Sequence, residues 1–407
     1  MGSDKIKLPR IKKEDKRMRL HRTCWLEINL DNIKSNFRAI QEMVGEKVTI
    51  MPAVKANAYG HGVIMACKAL DEAGAKVIAV GSIDEAMELR KAGLTTKIVV
   101  FASNLISDVA DLYVENDITP TILYKEQAEA ISKATVKEHG IFVKIETGRG
   151  RLGINAEECA DVIKEIAGLP NIRVDGIYSH MAYANWEDEK ISYPMWQFER
   201  FKKALDQLEA YGIHIPFAQL VNTPGGIAYP DIRLTGMCPG RGIWGFSPLE
   251  KREEHPDLKP AMVAWKSRLI QVKEVIGGKL GPDFAAVRLD IPKRIGLLAG
   301  GVSDGIVKSQ AQGGVVLVNG KRVPVCSPMS LEHTTVDLTS CPDAKLGDEV
   351  VIMGKQGDEE ITREELLRQW NIAIPYFWTA IPEHVERVYY ENGEPVAIAR
   401  GYSIEKL

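Results

Sequence analysis

The 407-residue chain has no apolar run of the roughly 18 residues that a helix needs to cross a bilayer. No apolar stretch follows its basic start, as a secretory signal would require, so a cytoplasmic location is expected. It also lacks an excess of one charge: 52 Lys and Arg against 55 Asp and Glu leave a net −3. Neither nucleic acid nor an anionic membrane is therefore an expected partner. The six cysteines (Cys24, Cys67, Cys159, Cys238, Cys326, Cys341) include no C-x-x-C pair. That spacing argues for reduced thiols over a disulfide framework or a zinc site, and no metal is expected. A G-x-G-x-x-G turn after a first strand is missing too, which weighs against an open dinucleotide-binding sheet.

What is present suits two domains and a small-molecule partner, with 45% hydrophobic and 26% charged residues. Residues 1–22 read as a basic tail, since Lys5 to Arg22 is opposed only by Glu14 and Asp15. Residues 23–255 alternate short β-branched runs with amphipathic stretches. The runs are Cys24 to Asn29, Thr49 to Val54, Val77 to Ser82, Ile98 to Ala102, Thr119 to Leu123, Ile141 to Glu146, Gly176 to His180 and Phe217 to Asn222. Helical patterns between them end at Gly45, Gly74, Gly93 and Gly212, each suited to a left-handed cap. Such β/α repeats predict a TIM (β/α)8 barrel. Residues 256–407 change to β runs with turn signals at Asn319-Gly320 and Gly347-Asp348, and predict a mostly β domain with one helix over Thr362 to Trp370.

In a barrel the chemistry sits where strands end, and four polar clusters fall there. The first runs from Pro52 to Gly62 and contains Lys55, Tyr59 and His61. A lysine after a buried run must be paired or be shifted towards the neutral form that attacks carbonyls. The second, Lys144 to Gly153, combines glycines with Arg149 and Arg151, a pattern suited to a carboxylate or phosphate. The third places His180 at a strand end. The fourth joins Asn222 and Thr223 to Cys238-Pro239-Gly240-Arg241, with hydroxyl and N–H groups where barrels bind phosphate. Taken singly, a salt-bridged lysine, a structural histidine or an ordinary loop accounts for each.

Together, in this order and spacing, the clusters resemble the alanine racemase family over about Thr23 to Tyr389, and Ala53 to Gly62 is similar to that family's cofactor-lysine signature. The resemblance implies pyridoxal 5'-phosphate held by Lys55 as a Schiff base, with Lys55 as one of two acid/base groups acting on an amino acid. It implies Tyr59, Thr223, Gly240, Arg241 and the late Tyr376 at the phosphate, with Asn222 beside them. His180 would pack by the pyridine ring and Arg151 by the substrate carboxylate. Lys144 matches a lysine that is often carbamylated. A homodimer with active sites completed by the partner subunit is also implied.

Three positions depart from the family. Its second acid/base is a tyrosine in a Gly-Tyr-Ala-Asp-Gly segment, and the matching segment is Gly301-Val302-Ser303-Asp304-Gly305. Val302 cannot move a proton, so Ser303, Glu332 or His333 would have to serve, and His333 is favoured because its ordinary pKa suits both directions. Cys238 stands where the family has an arginine facing the ring nitrogen, which removes a positive charge there. Leu331, in Ser330-Leu331-Glu332-His333, replaces a methionine beside the substrate. The leading expectation is an amino-acid racemase or epimerase. A pyridoxal-phosphate lyase or aldolase using Lys55 as its main base, and a non-catalytic cofactor-binding relative, are the alternatives.

Overall fold

The computed structural model describes residues 19–101, 105–184, 192–246, 249, 255–275, 279–280, 287–288, 293–306, 314–326 and 330–406. The basic tail expected over residues 1–22 lies outside them as far as residue 18. The chain divides into two units, Asn29–Ala261 on one side, and the segment up to Ile28 together with the chain from Met262 on the other.

Asn29–Ala261 is the expected barrel. Its parallel strands are Thr49–Ile50, Val77–Val80, Lys97–Val100, Thr119–Ile122, His139–Glu146, Ile172–Tyr178, Phe217–Gln219 and Gly236–Met237; from the second onward each is bonded to the next, and the last is bonded to the first. A bridge between Ala53 and Ala79 joins the first to the second and closes the ring. Inside, Met51, Val77, Ala79, Val99, Phe142, Tyr178 and Phe217 pack into one buried cluster, the filled interior that excludes water from a small barrel. The helices outside are punctuated as anticipated: Gly45, Gly74, Gly93 and Gly212 all have positive φ. Leu30–Val44 begins on Asn29, whose side chain accepts from the Asn32 N–H at 2.9 Å.

The expected strand Cys24 to Asn29 forms, but in the other unit. It pairs antiparallel with Met262–Val275, Leu26 opposite Trp265. Glu27 meets Lys266 at 3.0 Å, and Trp25 packs on Val388 and Ile398. The expected barrel start at residue 23 is thus corrected to Asn29, and the expected second-domain start at 256 to Met262. The barrel's eighth strand is instead Gly236–Met237, only two residues long. Alternating burial marks a strand without saying which sheet receives it, and a two-residue strand carries no periodicity to read.

The second unit is mostly β, as expected: among the described residues eleven strands form one sheet, with Cys24–Asn29 inside it. Val315–Val318 and Lys321–Cys326 form a hairpin over Asn319 and Gly320, both at positive φ, as that dipeptide requires in a tight turn. The helix Arg363–Trp370 starts on Thr362, whose hydroxyl accepts from the Glu365 N–H at 3.1 Å. A further helix, Ile374–Ala380, was not expected. Its aromatic residues favour strands by composition, yet Ile374, Phe377 and Trp378 are spaced to bury one helical face.

Candidate active site

Lys55, Lys144, Arg151, His180 and Cys238, spread over more than half of the barrel sequence, line one cavity of about 280 Å³ at the strand ends. Phe101, Tyr178 and Gln219, which the sequence did not single out, share its wall. Tyr178 and Gln219 end strands, Phe101 and His180 follow them closely, Lys144 lies near the end of His139–Glu146 and Arg151 on the loop after it, so all turn to the barrel mouth.

Lys55 opens the turn Lys55–Tyr59, and Ala56, Asn57, Ala58 and Tyr59 all have φ of 52 to 55°. Four consecutive L-residues in the left-handed region cost roughly 1–2 kcal/mol each, so the surroundings must hold them there. The Asn57 N–H donates to Glu85 Oε1 at 2.6 Å, and the Val63 N–H donates to Asn57 Oδ1 at 2.7 Å. The Lys55 Nζ lies 5.6 Å from the Phe101 ring centre. Burial pulls the Lys55 ammonium below its ordinary range; Cys238 opposes the fall, Arg151 adds to it and Glu85 opposes it. The neutral, nucleophilic amine is correspondingly more available.

Lys144 is buried over the Tyr178 ring, its Nζ 4.2 Å from the centre, and burial draws its pKa down to about 7. His180 is drawn down to about 3, first by burial and then by Lys144 and Arg151, so it is neutral at neutral pH. Burial pushes the Cys238 thiol up to about 11 against the pull of Lys55 and Lys144, which keeps it protonated. Arg151 sits on a loop whose Gly148 and Arg151 N–H groups both donate to Glu146, the latter at 2.9 Å. The Tyr193 hydroxyl donates to the Gly148 carbonyl at 2.5 Å and pins the same loop from the helix Ser192–Ala210.

The expected phosphate residues of the barrel also come together, Tyr376 lying in the other unit. The Gly242 N–H donates to Thr223 Oγ1 at 3.2 Å, and Asn222 Oδ1 accepts from the Gly225 N–H at 3.1 Å to cap the helix Thr223–Ala228. A Cβ at Gly240 would stand 2.9 Å from the Tyr59 hydroxyl, so backbone alone fits beside that oxygen. Burial raises Tyr59 to about 12, leaving it a phenol that can donate. Hydroxyls, a guanidinium at Arg241 and helix-start N–H groups in one place suit a phosphate dianion. A half-buried amine whose pKa is drawn down suits an aldehyde, so these residues fit pyridoxal phosphate.

Leu331, His333 and Tyr376 belong to the other unit, where all three are exposed. Within that unit the Val302 N–H donates to the Ser330 carbonyl at 3.1 Å and the Ser303 N–H to the Leu331 carbonyl at 2.8 Å. These bonds bring Val302, 43% exposed, and Leu331, 69% exposed, onto neighbouring loops with His333.

Residues 28–248 match the N-terminal domain of alanine racemase and residues 262–389 its C-terminal domain. This chain belongs to the alanine racemase family. An alanine racemase of Halothermothrix orenii is 32% identical over 91% of this chain and 98% of its own length. Another, from Methanococcus maripaludis, is 36% identical over 84% and 91%. The crystal structure of the Bacillus anthracis alanine racemase with bound L-Ala-P superposes with a TM-score of 0.85 at 30% identity, covering 94% of this chain and 99% of that one. The chain is a pyridoxal-phosphate-dependent amino-acid racemase. Among the described residues no helix of this racemase is long and apolar enough to cross a membrane.

Proposed function

We propose that this racemase holds its cofactor on Lys55 and takes the Cα proton of an amino acid with the Lys55 amine, as a cytoplasmic homodimer. The observation that carries the proposal is the half-buried Lys55 amine, drawn down in pKa, at the start of the turn Lys55–Tyr59 and in one cavity with Arg151 and His180. Pyridoxal phosphate supplies an electron sink that acidifies the Cα proton. Tyr59, Asn222, Thr223, Gly240, Arg241 and Tyr376 would hold its phosphate. Neutral His180 would lie against the ring, and the uncharged Cys238 thiol would face the ring nitrogen. Arg151 would bind the substrate carboxylate, oriented by Lys144, whose pKa of about 7 leaves the free amine that carbamylation needs.

Val302 has no proton to give, so His333, which opens the strand His333–Asp337 directly after the loop bonded to Val302, is assigned as the second acid/base, with Leu331 against the substrate. Each would act in the partner's site, which is why the homodimer is part of the proposal. Two substitutions support a second assignment, a lyase or aldolase with Lys55 as sole base: the apolar Val302, and the thiol that stands in place of a cation at 238.

Single enantiomers, alanine first because the relatives carry its name, are incubated with the loaded protein in deuterated water. Enantiomer composition, Cα deuterium and carbonyl products are then followed. Racemisation yields the deuterated antipode without carbonyl product. Lys55→Ala should lower turnover by roughly 10²-fold or more and remove the absorbance of lysine-bound cofactor. Carbonyl product without inversion of any amino acid would favour the lyase.

A further inference from the structure

Glu85 is only 7% exposed, although a buried carboxylate costs several kcal/mol unless it is compensated. It lies on the helix Ile83–Lys91, outside the set of residues given a role above. Both of its oxygens are engaged, each by a different loop of the cavity: Oε1 accepts from the Asn57 N–H at 2.6 Å and Oε2 from the Gly81 N–H at 2.8 Å. Gly81 lines the cavity, and a Cβ there would stand 3.0 Å from the Lys55 Cβ and 3.2 Å from Glu85 Oε2. The carboxylate, the glycine and the lysine stem are thus packed together.

We infer that Glu85 is a positioning residue for Lys55, holding the left-handed turn that carries the lysine and adding its negative charge to those that act on the amine. Ser82 and Glu85 have the spacing of a capping box, in which the glutamate returns to the N–H of the capping serine. Only half of that motif is used. Ser82 Oγ accepts from the Glu85 N–H at 3.2 Å, while the carboxylate passes on to Gly81 and Asn57. Asn57 lies in the middle of the four left-handed residues, so its bond falls where the backbone is most in need of restraint.

The groups acting on the Lys55 amine are Glu85, Arg151, Cys238, Lys144 and His180. Arg151 is a cation, His180 is neutral and the Cys238 thiol stays protonated through neutral pH. Lys144, when charged, repels the ammonium. Glu85 is therefore the carboxylate that offsets these cations.

The cofactor arm of the test rests on Lys55 being the cofactor lysine; the reactivity arm does not. In cofactor-free protein, Lys55 is pulse-labelled with an amine reagent across pH and read by mass spectrometry of its peptide. Glu85→Gln removes the charge and sets an amide donor against an N–H donor. It should move the midpoint of Lys55 labelling to lower pH and make the loaded protein lose cofactor about tenfold faster. Ser82→Ala weakens the same helix start and should lower the melting temperature with the Lys55 midpoint unmoved. A folded Glu85→Gln with wild-type midpoint and cofactor loss would overturn the role, as would an equal midpoint shift in Ser82→Ala. Should the glutamine variant not fold, Glu85→Asp keeps the charge and shortens the reach. It is expected to lose cofactor faster, and a wild-type rate overturns the role. Failure of the wild type to bind pyridoxal phosphate at all would count against the assignment of Lys55, whereas an unmoved midpoint counts against Glu85.

Discussion

Lys55, Lys144 and His180 are three bases that one cavity drives towards their uncharged forms, because desolvation penalises each cation. For His180 this has a consequence for stability. Its pKa is about 3 in the folded protein against an ordinary 6.5, so between those values the unfolded chain binds a proton that the native state refuses. The contribution is fully present above about pH 6.5 and is lost as pH falls towards 3. His180→Gln should flatten the acid side of the stability profile, read as denaturant midpoint against pH. An unchanged slope would show that His180 charges freely in the native state. These three bases were legible in the sequence; their protonation was not, because it depends on neighbours that only folding supplies.

At the scale of elements, the glycine caps and the Asn319-Gly320 hairpin follow from local backbone preference and were read correctly. Gly245 is a stricter case. It follows the short turn Arg241–Trp244 with φ of 77°, and a Cβ there would overlap the Lys259 carbonyl. Gly245→Ala should therefore destabilise the protein by roughly 3 kcal/mol, through strain and through displacement of backbone beside the expected phosphate residues. Thermal unfolding of the variant tests this, and a shift within error of zero would mean that the turn relaxes freely. Glu85 is not legible as a site residue, although Ser82-Ile83-Asp84-Glu85 carries the capping signature. That pattern announces a helix start, and nothing local shows that the carboxylate reaches a loop twenty-eight positions earlier.

For the whole molecule, the two units are not consecutive in sequence. The strand Cys24–Asn29 lies in the sheet beside Met262–Val275, so the β unit needs both ends of the chain. The exposed Val302, Leu331 and Tyr376 on that unit fit a protein that buries them against a second copy. Sedimentation equilibrium at micromolar concentration should give twice the chain mass, and Leu331→Asp should shift the population towards monomer. A wild type that stays monomeric would remove the basis for assigning His333 to a partner's site.

The sequence by itself determined the alternation that makes a barrel and a β unit, and the lysine signature at Lys55, because periodicity and motif spacing are properties of neighbouring residues. Only the tertiary structure decided which sheet receives Cys24–Asn29, that a two-residue strand closes the barrel order, and that Glu85 reaches the Lys55 turn. It also decided which bases in the cavity are neutral. Strand pairing, desolvation and charge proximity act between residues distant in the chain, and no local pattern records them.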